Sequence, residues 1–562
     1  MSNAAIFFHP DAYDTTGAQL MGRHSAGESF LRGFLRHAQI DQLHLLNASA
    51  RPPDQLQPLL NRIQPSPHPV RWLDRMSRAQ LTNPGCLYLP QPTLGPEAWT
   101  RRVLGRTRYS LCGITHTTAT HRANDLIAEM VTSPVEAWDA LICTSDAVRS
   151  GVQMVLDQTR EDLRSRLGAT RFPNPELATI PLGVNASDFT PSPEHRAEWR
   201  ARLDIPQDAV VALYIGRFHA AAKMNPATMA LALEAAAVAT GKPIYWIIAG
   251  WSANDDTTAT FHRQTQAFCP SIHYRPVDGR APETRFSIWS AADFFVSFSD
   301  NVQETFGLTP VEAMAAGLPS VVTDWDGYRD TVRHGIDGFR IPTMAPRAGL
   351  GRDLAYHFAN EWITYETYLA VGAQVTGIDH GAAVSAINAL VTNPDLRRSM
   401  GQAAARQAQA HFDWSAIIPR YQALWTELAA RRKAAAPEAP EAALMVDNPR
   451  RLDPFQVYAT YPTEVMSGTT LLRAAEGLSR EAVRSRLSED LAGLGRWALP
   501  TAPEVEVVLD HLAKSPQASV AELVALFPLA RQGFLERGLL WLVKFGVVEL
   551  VSPPEVSNRA EA

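Results

Sequence analysis

Short apolar runs alternate with amphipathic stretches along most of the chain. In its first part, runs of four to eight residues are separated by stretches in which apolar residues recur at helical spacing. This order predicts βαβ units built around a parallel sheet. The predicted strands are Ala5–Phe8, Gln42–Leu46, Leu87–Pro90, Tyr109–Thr115, Ala140–Thr144 and Ala178–Val184, and the predicted helices include Ser25–His37, Trp99–Leu104 and Asp146–Asp157.

The same alternation restarts after a polar, proline-containing segment at 185–205. We therefore expect a domain boundary in this segment and a second α/β unit of similar size beyond it. Its predicted strands are Val210–Arg217, Ile244–Gly250, Ile272–Val277, Asp293–Ser299 and Ser320–Trp325, and its predicted helices are Pro226–Ala239, Thr257–Ala267, Glu283–Ser290 and Thr309–Ala316.

The remaining third of the chain is different in character. Residues 384–432 predict helices, whereas 344–380 is an insertion rich in aromatic residues to which the pattern assigns no role. An Ala-, Pro- and Glu-rich stretch at 433–455 is typical of an exposed linker. Residues 456–562 hold three helical patterns and a final apolar run, which predict a small, mainly helical module resembling a winged helix.

Composition and charge narrow the choice of partners. The chain has 562 residues, 46% of them hydrophobic, so several domains with substantial cores are expected. The 52 basic and 58 acidic residues give a net charge of −6, and residues 441–562, with 12 basic and 16 acidic residues, give 12 − 16 = −4. Nucleic-acid affinity depends on neutralising phosphates, so we expect no nucleic-acid partner, even for the winged-helix-like module.

The cysteines and the apolar runs indicate where in the cell the protein is expected. The four cysteines are widely spaced and form neither a disulfide framework nor a CxxC metal motif. No apolar run approaches the length needed to span a bilayer, and the first residues do not resemble a secretory signal. We expect a cytoplasmic protein, and leave open whether it attaches to the inner membrane surface.

A glycine and two cations follow the predicted strand Val210–Arg217. The segment GRFHAAAKMNP contains Gly216, Arg217 and Lys223 just before a predicted helix. A pyrophosphate is well bound by a close backbone approach, a bidentate Arg, a Lys and helix N–H groups. On these residues alone, a diphosphate site and a pair of solvated surface cations carry about equal weight.

Two glutamates eight residues apart follow the predicted strand Asp293–Ser299. In ETFGLTPVEAMAAGLP, Thr309 predicts a helix N-cap, which places Glu304 in the preceding loop and Glu312 in the first helical turn. In these positions both carboxylates could face the same cleft, where each oxygen can accept a hydrogen bond from a hydroxyl. The alternative for Glu312 is that it only complements the helix dipole.

These segments, taken in order, resemble the retaining glycosyltransferases of family 4, which have the GT-B fold of two Rossmann-like domains facing a cleft. The resemblance is carried by Glu304-x7-Glu312 within SDNVQETFGLTPVEAMAAGLPSVVTDWDG and by GRFHAAAKMNP. IPLGVNASDF at 180–189, HGIDGFRIP at 334–342 and the helical sequence from Asp395 extend it over about residues 1–430.

The resemblance implies a domain plan. Residues 1–190 would form the acceptor-side domain, with the helix 414–432 returning to it. Residues 191–413 would form the nucleotide-sugar-binding domain. The linker 433–455 and the accessory module 456–562 exceed what such a transferase needs.

The resemblance also implies roles for single residues. Arg217 and Lys223 would bind the donor diphosphate, Glu312 the ribose hydroxyls and Glu304 the donor sugar, with Arg217, Lys223, Glu304 and His116 as the catalytic set. The remaining implied donor-binding residues are Gly27, Gly216, Val277, Asp278, Phe306, Gly307 and Leu308.

Two of these assignments need comment. The family usually has a Gly-Gly pair where this chain has Ala26-Gly27-Glu28, which leaves open whether Gly22 or Gly27 approaches the donor. His116 matches a family histidine near the sugar, although a histidine at a strand end is more often structural. With His121 it forms H-x4-H, but no Cys/His cluster supports a metal site.

The function implied is transfer of a sugar from a UDP-, GDP- or ADP-sugar to a hydroxyl, with retention and without a required metal or other cofactor. The acceptor stays open among a glycan, a lipid-linked sugar, a small molecule and a protein. The alternatives are a non-catalytic nucleotide-sugar-binding protein on the same scaffold and, among enzymes, a glycosyl phosphorylase or a synthase using a free sugar phosphate. For the C-terminal module we expect protein contact, dimerisation or acceptor recruitment, weighed equally against a structural appendage.

Overall fold

The computed structural model describes residues 4–16, 22–435 and 448–551. They divide into two units, one up to residue 446 and one from residue 447. The middle of the predicted linker, residues 436–447, and the last predicted residues of the module, 552–562, lie outside the described residues.

The first half of unit one is a parallel sheet of seven strands in the order β3-β2-β1-β4-β5-β6-β7. Helices cover both faces, so the central strands are mostly apolar, and β5 is buried at every residue. The strands are β1 (Ala5–Phe8), β2 (Leu43–Asn47), β3 (Val70–Asp74), β4 (Cys86–Tyr88), β5 (Ser110–Ile114), β6 (Ala140–Cys143) and β7 (Glu176–Thr179). The helices are α1 (Pro10–Tyr13), α2 (Gly22–His37), α3 (Pro53–Ile63), α4 (Leu94–Arg102), α5 (His121–Glu129) and α6 (Asp146–Leu167).

The second half of unit one is a parallel sheet of six strands in the order β10-β9-β8-β11-β12-β13. Its strands are β8 (Val210–Arg217), β9 (Ile244–Trp251), β10 (His273–Asp278), β11 (Phe294–Ser297), β12 (Ser320–Thr323) and β13 (Gly338–Ile341). Its helices are α7 (Pro193–Arg202), α8 (Pro226–Thr240), α9 (Asp255–Gln266), α10 (Pro282–Ser287), α11 (Leu308–Ala315) and α12 (Tyr328–Thr331). Two parallel α/β sheets in succession confirm the predicted GT-B fold class.

One predicted strand, Ala178–Val184, is wrong in extent. The strand β7 ends at Thr179, and Val184 instead forms an isolated parallel bridge with Asp413. Its N–H donates to the Phe412 carbonyl, and Trp414 N–H donates back to the Val184 carbonyl. The apolar residues of this segment lie at the point where the chain crosses itself between the two halves, and not in the sheet. An apolar run alone does not distinguish such a crossing from a strand.

That crossing leads into a helix that packs on the first half. After α15 (His380–Thr392), α16 (Pro394–Gln407) and a π-helical turn (Ala408–Phe412), the helix α17 (Trp414–Ala434) runs against α2. The ring of Trp414 is fully buried, and its Nε1 donates to Ser29 Oγ at 2.8 Å. Any Cβ on Gly33 or Gly183 would overlap this ring, so both positions require glycine.

The aromatic insertion (residues 344–380) is folded. It consists of a two-stranded antiparallel ladder, β14 (Thr343–Met344) with β15 (Gly377–Ile378), and of the helices α13 (Arg352–Ala359) and α14 (Tyr365–Gln374) between the strands. Phe358 stacks on Tyr368 with ring centroids 4.4 Å apart, which joins the two helices.

Unit two is mainly helical around a three-stranded antiparallel sheet in the order β17-β16-β18. The central strand comes first in the chain and was not predicted from the pattern. The elements are α18 (Pro454–Val457), β16 (Leu471–Ala474), α19 (Arg480–Ser488), α20 (Ala502–Lys514), β17 (Ala518–Ser519), α21 (Val520–Ala525), α22 (Leu529–Lys544) and β18 (Val548–Leu550). A separate apolar cluster that includes Leu472, Leu509 and Leu539 forms its core.

Two further properties concern the described residues. None of their helices combines the length and the apolar character that crossing a membrane requires. All four cysteines are buried as free thiols.

Candidate functional site

Glycines line the carboxyl edge of the second sheet. Gly216 at the end of β8 pairs with Gly250 in β9, and the N–H of Gly279, just after β10, donates to the Gly250 carbonyl at 2.9 Å. A Cβ on Gly250 would overlap the Gly216 carbonyl, so side chains are excluded from this edge. The backbones of these glycines pack closely together at the edge where parallel sheets bind ligands.

An ion pair stands beside this edge. Lys223, in the loop between β8 and α8, donates from Nζ to Glu304 Oε2 at 2.7 Å. Burial alone would raise the pKa of Glu304, but the Lys223 ammonium and the N–H groups of Thr305 and Gly307 outweigh it and hold that pKa below its ordinary value. Glu304 is therefore ionised, and the two partly buried residues of the pair are 81 residues apart in sequence.

Side-chain amides fasten the loops that carry this pair. Asn301 Nδ2 donates to the Lys223 carbonyl at 2.7 Å, and Gln303 Nε2 donates to the Ala222 carbonyl at 2.9 Å. Asn301 Oδ1 also accepts from Gln303 N–H at 2.9 Å. Residues next to Glu304 in the chain thus hold the backbone of the Lys223 loop, and these hydrogen bonds fix the relative position of the two charged residues.

The first half approaches the same loop from across the cleft. Thr305 Oγ1 donates to the His116 carbonyl at 3.1 Å, and Thr144 Oγ1 donates to the Thr305 carbonyl at 3.3 Å. The structure therefore brings His116, which follows β5, to the residue next to Glu304. His116 is partly buried.

Glu312 lies farther along the same wall of the cleft. The helix α11 begins at Leu308 with Gly307 as its N-cap, so the predicted cap at Thr309 was wrong and Glu312 falls in the second turn. The dipole alternative is weaker there, because that effect is confined to the first turn. Burial raises the pKa of Glu312 to about 7, against the opposing charges of Arg285 and Lys223.

Arg285 connects this region to the first half. Its Nη2 donates to Glu28 Oε2 at 3.1 Å, and Glu28 belongs to α2. Ser29 of α2 lines the same narrow cavity as Arg285 and Glu312. The carboxylate of Glu312 thus faces the space between the two halves.

Among the described residues, the guanidinium of Arg217 has no ion pair or hydrogen bond of its own. It is half-buried at the end of β8, one residue beyond the glycine edge. A cation in this position is available to an anion.

Val277 and Asp278 end β10 at the outer side of the second sheet. Val277 packs partly buried on the core, whereas Asp278 is exposed and accepts from Arg280 Nη2 at 2.7 Å. That hydrogen bond, ahead of other influences, lowers the pKa of Asp278.

Phe306, Gly307 and Leu308 form the entry to α11. Phe306 is buried, and Gly307 has a left-handed backbone with φ +84° at a point where a Cβ would overlap the Tyr328 ring. Both the left-handed backbone and the lack of space for a Cβ require glycine here. Gly307 turns the chain so that α11 starts directly after the Glu304 loop.

Gly27 is placed differently from the other predicted donor residues. It lies buried within α2, where a Cβ would overlap the Ala12 carbonyl of α1. Close helix packing therefore accounts for this glycine without a ligand, and its donor role stays a prediction. Gly22 is exposed at the start of α2, with open space around it.

Sequence reasoning missed two buried carboxylates and the insertion. Asp300 and Asp326 lie close to the pair, and burial raises their pKa values to about 7 and about 8. Tyr365 of the aromatic insertion donates to Gln303 Oε1 at 3.3 Å. An Asp that closely follows an apolar strand (Asp300 after β11) was a usable signal, whereas the contacts of the insertion with the site depend on tertiary packing.

No group of three or more His, Cys, Asp or Glu residues in the described part of the chain is arranged to hold a metal ion. His121, of the H-x4-H pair, stacks on the Phe358 ring with centroids 3.8 Å apart.

Part of the chain is similar to a known protein family. Residues 195–349 match the family model described as glycosyl transferases group 1. This range holds Arg217, Lys223, Glu304 and Glu312.

Curated relatives are named D-inositol 3-phosphate glycosyltransferase. The protein from Thermobispora bispora is 26% identical over 272 residues, which are 48% of this chain and 54% of that protein. The protein from Streptomyces scabiei is 29% identical over 178 residues, which are 31% of this chain and 39% of that protein. The chain thus spans about half the length, or less, of these relatives.

Solved structures with a similar arrangement include sucrose-phosphate synthase from Thermosynechococcus elongatus, with a TM-score of 0.46 and 18% identity over 76% of this chain and 99% of that one. HepE from Anabaena, in complex with UDP and glucose, has a TM-score of 0.47 and 15% identity over 76% of this chain and 100% of that one.

Proposed function

We propose that this protein is a glycosyltransferase that moves a sugar from a nucleotide-sugar donor to a hydroxyl acceptor. The observation that carries the proposal is the Lys223–Glu304 pair, held at 2.7 Å on the carboxyl edge of the second sheet and facing the His116 loop of the first half. The region similar to group 1 glycosyltransferases contains both charged residues.

In this proposal, Arg217 and Lys223 bind the donor diphosphate. Arg217 supplies a guanidinium without a competing ion pair among the described residues, and it suits a bidentate phosphate contact. As the bond from the sugar to the diphosphate breaks, both cations stabilise the negative charge that develops on the leaving nucleotide.

Glu304 and Glu312 take the hydroxyl groups. An ionised Glu304 accepts hydrogen bonds from the donor sugar, and Glu312 accepts them from the ribose. With His116 near the reacting sugar, we expect attack from the face that the diphosphate leaves. The acceptor oxygen bonds to the anomeric carbon as the bond between that carbon and the phosphate oxygen breaks, and the acceptor proton passes to the leaving phosphate. Because attack and departure use the same face, the anomeric configuration is retained.

The test is a panel of UDP-, GDP- and ADP-sugars incubated with the full-length protein, with nucleotide release as the readout. We expect one donor class to be cleaved, and Lys223→Ala to lower its kcat/KM at least a hundredfold because the diphosphate loses a partly buried cation. Lys242→Ala removes an exposed lysine from the opposite edge of the sheet and serves as the matched control.

A second pair of variants tests the charge of the Glu304 carboxylate. Glu304→Gln keeps the shape of the side chain but removes the charge, and we expect it to abolish release, whereas Glu198→Gln changes an exposed glutamate and leaves it intact. Donor binding without release in the wild type would favour the non-catalytic alternative. Wild-type rates in Lys223→Ala or Glu304→Gln would overturn the assigned site.

A further inference from the structure

The aromatic insertion lies against both halves of unit one. Phe358 of α13 stacks on His121, at the start of α5 in the first half, with ring centroids 3.8 Å apart. Leu369 of α14 is fully buried in a cluster with Ala119 of the first half and Ala222 of the second. One element therefore joins the loop after His116 to the loop that carries Lys223.

The polar contacts of the insertion reach the same two loops. Tyr365 Oη donates to Gln303 Oε1 at 3.3 Å, and the Gln303 amide donates in turn to the Ala222 carbonyl. Glu366, the next residue of the insertion, also contacts the second half: its Oε1 lies 3.2 Å from His219 Nε2. Gln303 and Ala222 are the residues that directly precede Glu304 and Lys223.

The surroundings of Tyr365 also point to the site. Burial raises the pKa of the Tyr365 hydroxyl, against a hydrogen bond with Thr117 and the charge of Arg217. The hydroxyl therefore lies close to the first-half loop after His116 and to a proposed diphosphate cation. The Tyr365 ring also packs against the cluster of Leu369, Ala119 and Ala222, so its phenol is held in place between these groups.

We propose that the aromatic insertion is a positioning element of this site, in which Tyr365 acts through Gln303 to hold the Lys223–Glu304 pair in register with the His116 loop. The inference rests on the proposed transferase function. Its consequence is that loss of the Tyr365 hydroxyl lowers the rate of the bond-breaking step more than it weakens donor binding, because the charges stay present but are less well oriented.

The experiment compares Tyr365→Phe with Tyr356→Phe in the full-length protein. Tyr356 lies in the same insertion, is 57% exposed and packs only on His357 and Trp362 among the aromatic rings described, so it is the matched control. With the nucleotide sugar that the wild type cleaves, we expect Tyr365→Phe to lower kcat three- to tenfold and to change KM less than twofold. Tyr356→Phe should match the wild type.

A double-mutant cycle with Gln303→Ala tests the route of the effect. If Tyr365 acts through Gln303, the Tyr365→Phe/Gln303→Ala protein is no slower than Gln303→Ala alone. Melting temperatures of all variants are recorded, because a merely structural role lowers stability and gives additive losses.

The outcomes separate the two proposals. A normal kcat in Tyr365→Phe, an equal loss in Tyr356→Phe, or additive effects in the cycle would overturn the role of the insertion while leaving the transferase function intact. A wild-type protein that neither binds UDP, GDP or ADP nor cleaves any of their sugars would overturn the transferase function, and the positioning role with it.

Discussion

Asp326 is a carboxylate whose ionisation the folded protein opposes. It follows β12 with a left-handed backbone, φ +44°, and its Oδ1 accepts from Ser145 Oγ of the first half at 3.4 Å. Its Oδ2 is buried and has no hydrogen-bond partner among the described residues. Burial first, and the charge of Glu304 second, raise the pKa of Asp326 from 3.8 to about 8.

The sign of the effect on stability follows from these values. Between pH 3.8 and about 8, the unfolded chain has released this proton while the folded chain retains it. The free energy of unfolding therefore falls as the pH rises through that window, by at most about 1.4 kcal/mol per pH unit. From pH 5 to pH 8, the contribution of Asp326 amounts to about 4 kcal/mol at most.

Replacing Asp326 with Asn removes this loss. Asparagine has the shape of the protonated acid, cannot ionise, and is among the residues that best tolerate a positive φ. We expect Asp326→Asn to match the wild type at pH 5 and to be more stable than the wild type at pH 8.5, by several degrees in the melting temperature of unit one.

Thermal unfolding of the full-length protein at the two pH values measures the effect. Asp125→Asn, which changes an exposed aspartate on α5, is the control and should show the same difference from wild type at both pH values. A difference between Asp326→Asn and wild type that does not grow with pH would refute the reasoning, because it would mean that Asp326 is already ionised in the folded protein.

Three more predictions concern packing and charge. Gly27→Ala should lower the melting temperature because its Cβ overlaps the Ala12 carbonyl, and the UDP affinity of the folded protein, measured by calorimetry, should be unchanged. A loss of UDP affinity at unchanged stability would instead support a donor role for Gly27. Trp414→Ala should cost about 3–5 kcal/mol in denaturant unfolding, since it empties a fully buried site, and a cost under 1 kcal/mol would contradict the packing described. Nucleotide release should continue in EDTA, because Arg217 and Lys223 supply the positive charge, and its complete loss on chelation, restored by Mg²⁺, would contradict that mechanism.

The sequence predicted those parts of the fold in which local pattern and burial agree. Central strands such as β9 are apolar at almost every residue, so an apolar run suffices to find them. The edge strand β3, with the sequence VRWLD, was missed because only Leu73 in it is buried. The start of α11 was misplaced because its N-cap is Gly307, which offers no side-chain oxygen and has a left-handed backbone that the sequence pattern does not signal.

For the site, the sequence predicted the charged residues but not what holds them. Lys223 and Glu304 could be chosen because each follows a strand and carries chemistry. Their direct pairing, and the contact of Thr305 with His116, depend on how the two halves meet. Tyr365 lay in a segment without a recognisable motif, and its role appears only through its neighbours in space.

The return of α17 to the first half has a consequence for synthesis of the protein. Gly33 and Gly183 leave a slot that only the Trp414 ring fills, so the first half cannot complete its core until the ribosome has added α17. At about 5–20 residues per second, the roughly 240 residues between position 190 and the end of this helix take on the order of ten to fifty seconds. During that interval the apolar residues of α2 that pack on α17 in the finished protein lack this cover.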